Sequence, residues 1–297
     1  MLEEVETLMH ESVAGLDAHA LSLYEKLPFG KRLRAKLILK IAGESEESVS
    51  LAAIVELIHA ASLLHDDVID DADTRRGIAS INAQFGNKTA IMLGDILYSE
   101  GFSLLTAFSQ EISKTVADAV TMLSVGELMD VELSKSLNLD EARYFDMIYK
   151  KTAVLIEAAA KSAALLAHKD AEAFGLYGKN LGLAFQIIDD VLDITMDADT
   201  LGKPALHDYE EGKTTLPYIY LFDRIDEEQK KRLEGLYKKQ LSSEDAAWIK
   251  SIMIESGAIE KSIQLAQKLG LEALDAIKEE KNEALESVIK NMIEREF

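Results

Sequence analysis

The stretch HDDVIDDADTRRG, His65 to Gly77, sets five carboxylates within the eight residues Asp66 to Asp73 and follows them with Arg75 and Arg76. Like charges this close repel, so the stretch calls for a cation. Asp66, Asp67 and Asp70 form a D-D-x-x-D pattern, and Asp189, Asp190 and Asp193 in LAFQIIDDVLD form a second. On an α-helix, residues four apart share one face. Asp66 with Asp70, and Asp189 with Asp193, therefore each make a two-carboxylate claw. Hard cations such as Mg2+ take a few carboxylates, keep several waters and complete their shell with phosphate oxygens. A single D-D-x-x-D also suits a solvated helix end. Both copies, however, follow apolar sequence, IVELIHAASLL and NLGLAFQII, which an exposed face does not require.

Basic residues stand in matching places. Lys31, Arg32 and Arg34 lie in PFGKRLRAKL, Arg75 and Arg76 follow the first acids, Lys151 and Thr152 lie in YKKTAVL, and Lys203 and Lys213 follow the second acids in LGKP and EGKTTLP. Arginine forks and lysine point charges are the usual phosphate binders. Singly, each reads as an ordinary surface charge; in register with both claws they read as a diphosphate site. The net charge of -21 excludes a nucleic-acid binder, which needs a basic face. It also opposes an anionic substrate, unless a bound metal reverses the local sign. His59 lies seven residues before Asp66, almost two turns, and so shares its helix face. Alone it reads as a core histidine.

The elements that must position these groups are helical. No proline occurs between Pro28 and Pro204, and alanine, leucine, glutamate and lysine dominate that span. The segments SVSLAAIVELIHAASLLHDDVID, TAIMLGDILYSEGFSLLTAF and KTAVLIEAAAKSAALLAH are apolar over more than one face and predict buried helices. No period-two alternation and no Asn-Gly or Asp-Gly hairpin signal appears. The expectation is an all-α protein of roughly ten or more helices around one core, a single domain over 1–297. Beyond about Asp223 the charges fall at helical spacing and predict exposed amphipathic helices. No cysteine is present, which excludes disulfides and thiolate metal sites and fits a cytoplasmic location. The acidic N-terminus does not read as a signal peptide, and no run reaches the ~18–20 apolar residues of a membrane span.

GKRLR, then IHAASLLHDDVIDDADTRRG, KKT, FQIIDDVLD, LGKP and EGKTTLP occur in the order and spacing of the trans-prenyltransferases, and Phe29 to Pro217 resembles an all-trans polyprenyl diphosphate synthase. The resemblance implies an isoprenoid-synthase-type helical bundle around a central cavity, a homodimer, and about three Mg2+ ions per active site. It implies isopentenyl diphosphate and an allylic diphosphate as substrates. Asp66, Asp70 and Asp189 then bind Mg2+ on the allylic diphosphate, with Asp67, Asp190 and Asp193 supporting the cluster. Lys151, Lys203, Arg75 and Lys213 serve the same diphosphate, and Thr152 and Gln186 lie beside the reacting carbons. Lys31, Arg34, His59 and Arg76 hold the diphosphate of isopentenyl diphosphate. The implied chemistry breaks the allylic carbon–oxygen bond as metal and basic groups stabilise the departing charge. Water must be excluded so that the allylic cation meets only the second substrate.

Ala61 and Ser62 sit about one turn, ~6–7.5 Å, deeper than Asp66, where a small residue leaves a product tunnel open. Such a tunnel beside a helix of ~20–25 residues runs roughly 30–37 Å. Met129 and Leu133 are candidates for its floor. The expected product is an octaprenyl-type quinone tail; a shorter, geranylgeranyl-type product is the alternative. Phe29 and Ala35 replace a glycine and a proline common in the family, and RRGIAS lacks a proline after RRG, so altered loop geometry is expected there. A terpene cyclase needs only one diphosphate site. A silent partner subunit, or a structural or metal-buffering helical protein, needs no intact acidic and basic motifs in register.

Overall fold

The computed structural model describes residues 1–28, 30–196 and 206–293. Sixteen α-helices form among the described residues, as the helix-favouring composition predicts. They group into two compact units: Met1–Val120 with Ala158–Gly175, and Thr121–Glu157 with Leu176–Phe297.

The first unit contains α1 (Leu2–Ala14), α2 (Ala18–Tyr24), α3 (Leu33–Ala42), α4 (Glu46–Ile69), α5 (Ile81–Phe85) and α6 (Asn87–Leu105). Its centre is α4, which packs against α1, α3 and α6. A capping box starts α4: Ser48 N donates to Ser45 Oγ while Ser45 N donates to Ser48 Oγ. Every residue from Leu51 to Ile58 is buried, including one acid, Glu56. By length and composition α4 is apolar enough to cross a membrane, contrary to the expectation that no run reaches that length. Of its most apolar stretch, 67% is buried inside the molecule, so it serves as the core helix here. Two glycines let α6 lie close against it: a Cβ on Gly94 would fall 2.3 Å from His65 Nε2, and one on Gly101 2.9 Å from Ile58 Cγ1.

Past α4 the chain forms a two-strand hairpin, β1 (Thr74–Arg75) and β2 (Ile78–Ala79), with Arg75 opposite Ile78. Its two-residue turn is Arg76-Gly77, both at positive φ (54° and 75°). That is the signature of a turn whose twist matches the strands. The turn is Arg-Gly, not the Asn-Gly or Asp-Gly of the usual hairpin signal, so the sequence carries no mark of it.

Three helices, α7 (Gln110–Leu133), α9 (Val154–Leu166) and α10 (Ala171–Thr195), contribute residues to both units. In the second unit α8 (Glu141–Ile148) runs into a single π-helical turn, Tyr149–Ala153, before α9 begins. Such turns are rare and are frequent at functional sites. This one carries Lys151 and Thr152. Two glycines admit it: a Cβ on Gly126 of α7 would lie 2.3 Å from Lys151 N, and one on Gly182 of α10 2.5 Å from Ala153 Cα. The helices that follow are α11 (His207–Glu211), α12 (Leu216–Phe222), α13 (Glu227–Leu236), α14 (Ser243–Glu255), α15 (Ala258–Ala276) and α16 (Glu283–Ile293). All of α12 is buried, and it packs on α8, α14 and α15. By contrast α14 and α16 bury one apolar face each, as their charge spacing predicts, and α13 buries only Leu233.

Candidate functional site

The first acidic motif forms the C-terminal end of α4. Asp70 N donates to Asp66 O at 2.9 Å, so the two residues stand one helical turn apart. This is the negative end of the helix dipole, where further carboxylates are unfavourable without a cation. The hairpin supplies part of that cation. Arg75 Nε donates to Asp67 Oδ1 at 2.7 Å and its Nη2 to Asp66 Oδ2 at 3.4 Å. Asp67 is buried, and burial raises its pKa against the opposing pull of Arg75.

Beside this end lies a cluster of guanidinium groups. Arg76 Nη1 donates to Pro28 O at 3.3 Å, and its guanidinium covers Gly30, where a Cβ would come within 2.9 Å. That contact joins the hairpin to the loop that carries Lys31 into α3. Burial lowers Arg34 to about 10, while Glu56 pulls the other way. Its Nε is buried and takes no hydrogen bond among the described residues, a donor left for an anion. Burial, followed by the charges of Arg34, Arg75, Arg76 and Arg32, pushes His59 well below the usual histidine range. A neutral imidazole ringed by guanidinium groups fits a site awaiting negative charge. Lys31 is exposed at the start of α3.

The second motif ends α10, and its middle acid, Asp190, is held by neutral groups. Tyr144 Oη of α8 donates to Asp190 Oδ2 at 2.5 Å, and Gln186 Nε2 to Asp190 Oδ1 at 2.9 Å. Thr152 Oγ1, on the π turn, donates to Gln186 Oε1 at 2.8 Å. Burial, and then Asp208, raises the pKa of Asp190 well above the carboxylate range, with the Tyr144 and Gln186 bonds opposing. Asp193 is buried and accepts from Asp208 N at 3.3 Å, while Asp189 is half-buried. Lys151 Nζ meets Asp130 at 2.6 Å and Glu127 at 3.1 Å. Lys213 Nζ meets Glu211 at 2.9 Å. A cleft of about 120 Å3 in this unit is lined by Lys151, Thr152, Gln186, Asp190, Asp208 and Lys213. Of the fifteen residues that line it, six, these except Asp208 together with Leu133, are ones that the sequence nominated.

Other nominated residues are less convergent. Ala61 is fully buried on α4. Ser62 Oγ donates to His59 O at 2.8 Å, within its own helix. Leu133 borders the second unit's cleft, and the Met129 sulfur lies 3.6 Å from Lys150 Nζ. Lys203 lies outside the described residues, as does Phe29. Sequence reasoning missed Glu56, Glu127, Asp130, Tyr144 and Asp208. Glu56 had a usable signal: one acid inside the apolar run LAAIVELIHAA has to find a buried partner. Tyr144 offered only a buried phenol's general need for a partner.

The donor set suits a hard divalent cation. Each motif ends a helix with oxygen donors, and cysteine is absent from the chain. Among the described residues no three His, Asp or Glu side chains gather closely enough to hold an ion by themselves. Two carboxylates completed by water and phosphate oxygens is the habit of Mg2+.

The family model described as "Polyprenyl synthetase" matches residues 19–253. The chain is similar to the crystal structure of octaprenyl pyrophosphate synthase from Helicobacter pylori, with TM-score 0.95 and 41% identity over 99% of this chain and 98% of that one. It is also similar to a polyprenyl synthase from Caulobacter crescentus, crystallised with calcium and isoprenyl diphosphate, with TM-score 0.92 and 32% identity over 100% and 95% of the two chains. A geranylgeranyl diphosphate synthase of Sulfolobus acidocaldarius is 34% identical over 84% of this chain and 80% of its own length.

Proposed function

The chain belongs to the polyprenyl synthetase family, and from that membership we propose how its two acidic motifs and its basic residues divide the work. The protein is a trans-prenyltransferase of the all-α isoprenoid-synthase fold, which joins isopentenyl diphosphate to an allylic diphosphate. In our reading Asp66, Asp70 and Asp189 hold Mg2+, about three ions with the substrate diphosphate. Asp67, Asp190 and Asp193 keep those acids in place. When bound, Mg2+ draws charge from the allylic diphosphate and makes it a leaving group.

The chain's own groups do the rest. Lys151, Lys213, Arg75 and Lys203 bind the allylic diphosphate, and Thr152 and Gln186 orient the reacting end. Lys31, Arg34, His59 and Arg76 bind the second diphosphate without metal. The observation that carries this reading is the buried Nε of Arg34, without a hydrogen-bond partner among the described residues, together with the hairpin that brings Arg75 and Arg76 to the acid-bearing end of α4. A buried guanidinium donor left over in a chain of net charge -21 has an anion as its fitting ligand.

Length of product is a finer proposal: a tail of about forty carbons, drawn into a tunnel past Ala61 of roughly the 30–37 Å that a helix spans. The small side chain of Ala61 and the likeness to an octaprenyl pyrophosphate synthase support it. The likeness to a geranylgeranyl diphosphate synthase supports the shorter alternative. We also propose one catalytic domain over 1–297, a cytoplasmic location and a homodimer. Supporting the last, α7 leaves Met122, Val125, Leu128 and Val131 exposed at three-residue spacing.

The test is direct. Purified protein is incubated with Mg2+, farnesyl diphosphate and excess isopentenyl diphosphate, and the products are sized. A discrete product near forty carbons is expected, and Ala61→Tyr should shorten it. A short product from the unaltered protein refutes the open tunnel, and an unchanged distribution in Ala61→Tyr removes that residue from it. No elongation by folded, metal-bound protein refutes the assigned activity.

A further inference from the structure

The loop bearing Lys31 and Arg34 has to hold its shape while several positive charges repel one another. Arg32 caps α3 from the left-handed region, at φ 50°, and offers no side-chain cap to the helix. A non-glycine residue stays there only when its surroundings compel it. The compulsion comes from α4. Glu56, 2% exposed, accepts from Ala35 N at 3.0 Å and from Arg32 Nη1 at 3.3 Å. One buried carboxylate thus satisfies an unpaired donor of α3's first turn and clasps the residue in front of that turn. The other side of Arg32 is held from α1: Glu6 accepts from Nε at 2.5 Å and from Nη2 at 2.8 Å. Lys31 and Arg34 flank this clasped residue.

We infer that Glu56 is a positioning residue for isopentenyl diphosphate: through Arg32 and the first turn of α3 it fixes where Lys31 and Arg34 present their charges. The inference rests on the proposed assignment of those two residues to that substrate. It has a sign that bulk electrostatics does not share. Glu56 is a negative charge next to an anion site, so on Coulomb's law alone its neutralisation should tighten anion binding. If it acts by geometry, neutralisation should weaken binding.

Glu56→Gln separates the two. The amide oxygen still accepts from Ala35 N, but the amide nitrogen then meets the Arg32 guanidinium donor to donor. Arg32→Lys probes the same junction from the other side, since an ammonium cannot span Glu6 and Glu56 as the guanidinium fork does. In each variant the KM for isopentenyl diphosphate, at saturating allylic substrate and Mg2+, should rise about tenfold, the equivalent of ~1.4 kcal/mol. The turnover number and the allylic KM should stay within about twofold, and helicity should match the unaltered protein.

An unchanged or lowered isopentenyl KM in both variants overturns the inference. So does an equal rise in both KM values, or a fall in turnover alone, because that marks a general role in the fold. Lys31→Ala and Arg34→Ala, assayed alongside, show which step failed. If they raise the isopentenyl KM and the Glu56 and Arg32 variants do not, only the inference falls. If they leave it unchanged, the assignment of the site falls, and the inference with it.

Discussion

The acids that end α4 and those that end α10 share one spelling and one spacing, yet the middle acid of each is held by different physics. In the first motif the middle acid, Asp67, is bound by a charge: Arg75 arrives on a hairpin only eight residues along the chain. In the second motif the middle acid, Asp190, is bound by neutral groups on two elements, Tyr144 from α8 and Gln186 from α10 itself, with Thr152 of the π turn behind Gln186. The Arg75 side chain is 25% exposed although that of Asp67 is 6% exposed, so water and salt reach one end of that pair. Tyr144 is fully buried and Asp190 nearly so, where leaving either without its partner is costly. A local ion pair can release its arginine to a diphosphate, whereas a buried network keeps its shape whether or not ligand is bound.

The largest effect should ignore that difference. Asp66→Ala and Asp189→Ala each remove a nominated metal ligand, and each should lower elongation by on the order of 10^3-fold or more. Helix content should survive, since neither residue is in the apolar core. Incorporation of isopentenyl diphosphate at saturating Mg2+, together with circular dichroism, measures both. Near-normal turnover by either variant removes its motif from the metal cluster.

Removing the donor to each middle acid should then set the motifs apart. Tyr144→Phe deletes one bond to Asp190 in a buried setting and should cost about 1–3 kcal/mol of stability. Arg75→Gln removes the charge facing Asp67, a carboxylate whose side chain is 6% exposed, and should also destabilise, but by an amount that shrinks as salt rises because Arg75 is 25% exposed. Urea unfolding of the metal-free proteins at low and high salt gives both values. A loss from Tyr144→Phe as salt-dependent as that from Arg75→Gln would erase the distinction between charge-held and network-held acids.

How much of this could be read in the sequence follows the same division. The claws were legible because i, i+4 spacing is a property of the helix itself, and the apolar runs ahead of them gave away α4 and α10. Arg75 and Arg76 were legible as charges near acids, but the hairpin that aims them was not, because its turn uses Arg-Gly. Asp130 and Glu127 belong to no motif, and only the π turn that brings Lys151 to them gives them a place in the site. That turn depends on the room left by Gly126 and Gly182, and close packing of this kind leaves no periodic trace in sequence. Glu56 stood in plain view within an apolar run. What it holds, the first turn of α3, lies 21 residues back along the chain and needed the fold to become visible.

The smallest effect separates the two units by pH. His59, in the first unit, is pushed below its usual value of 6.5 by burial and by Arg34, Arg75, Arg76 and Arg32. Below 6.5 the unfolded chain takes up a proton that the folded chain refuses. The contribution of His59 is therefore fully present above pH 6.5 and is lost as pH falls toward the folded value, with a slope of at most about 1.4 kcal/mol per pH unit. Glu211, in the second unit, resists burial through His207 and Lys213 and falls from 4.5 to about 2. Its contribution is present above pH 4.5 and is lost between there and about 2. Denaturant melts of the metal-free protein across pH should show His59→Gln flattening the slope just below 6.5 and leaving the acid limb alone. Glu211→Gln should do the reverse. Were His59→Gln to leave the neutral slope unchanged, the guanidinium groups would not be crowding that imidazole, and the first unit's claim to an anion site would lose its electrostatic support.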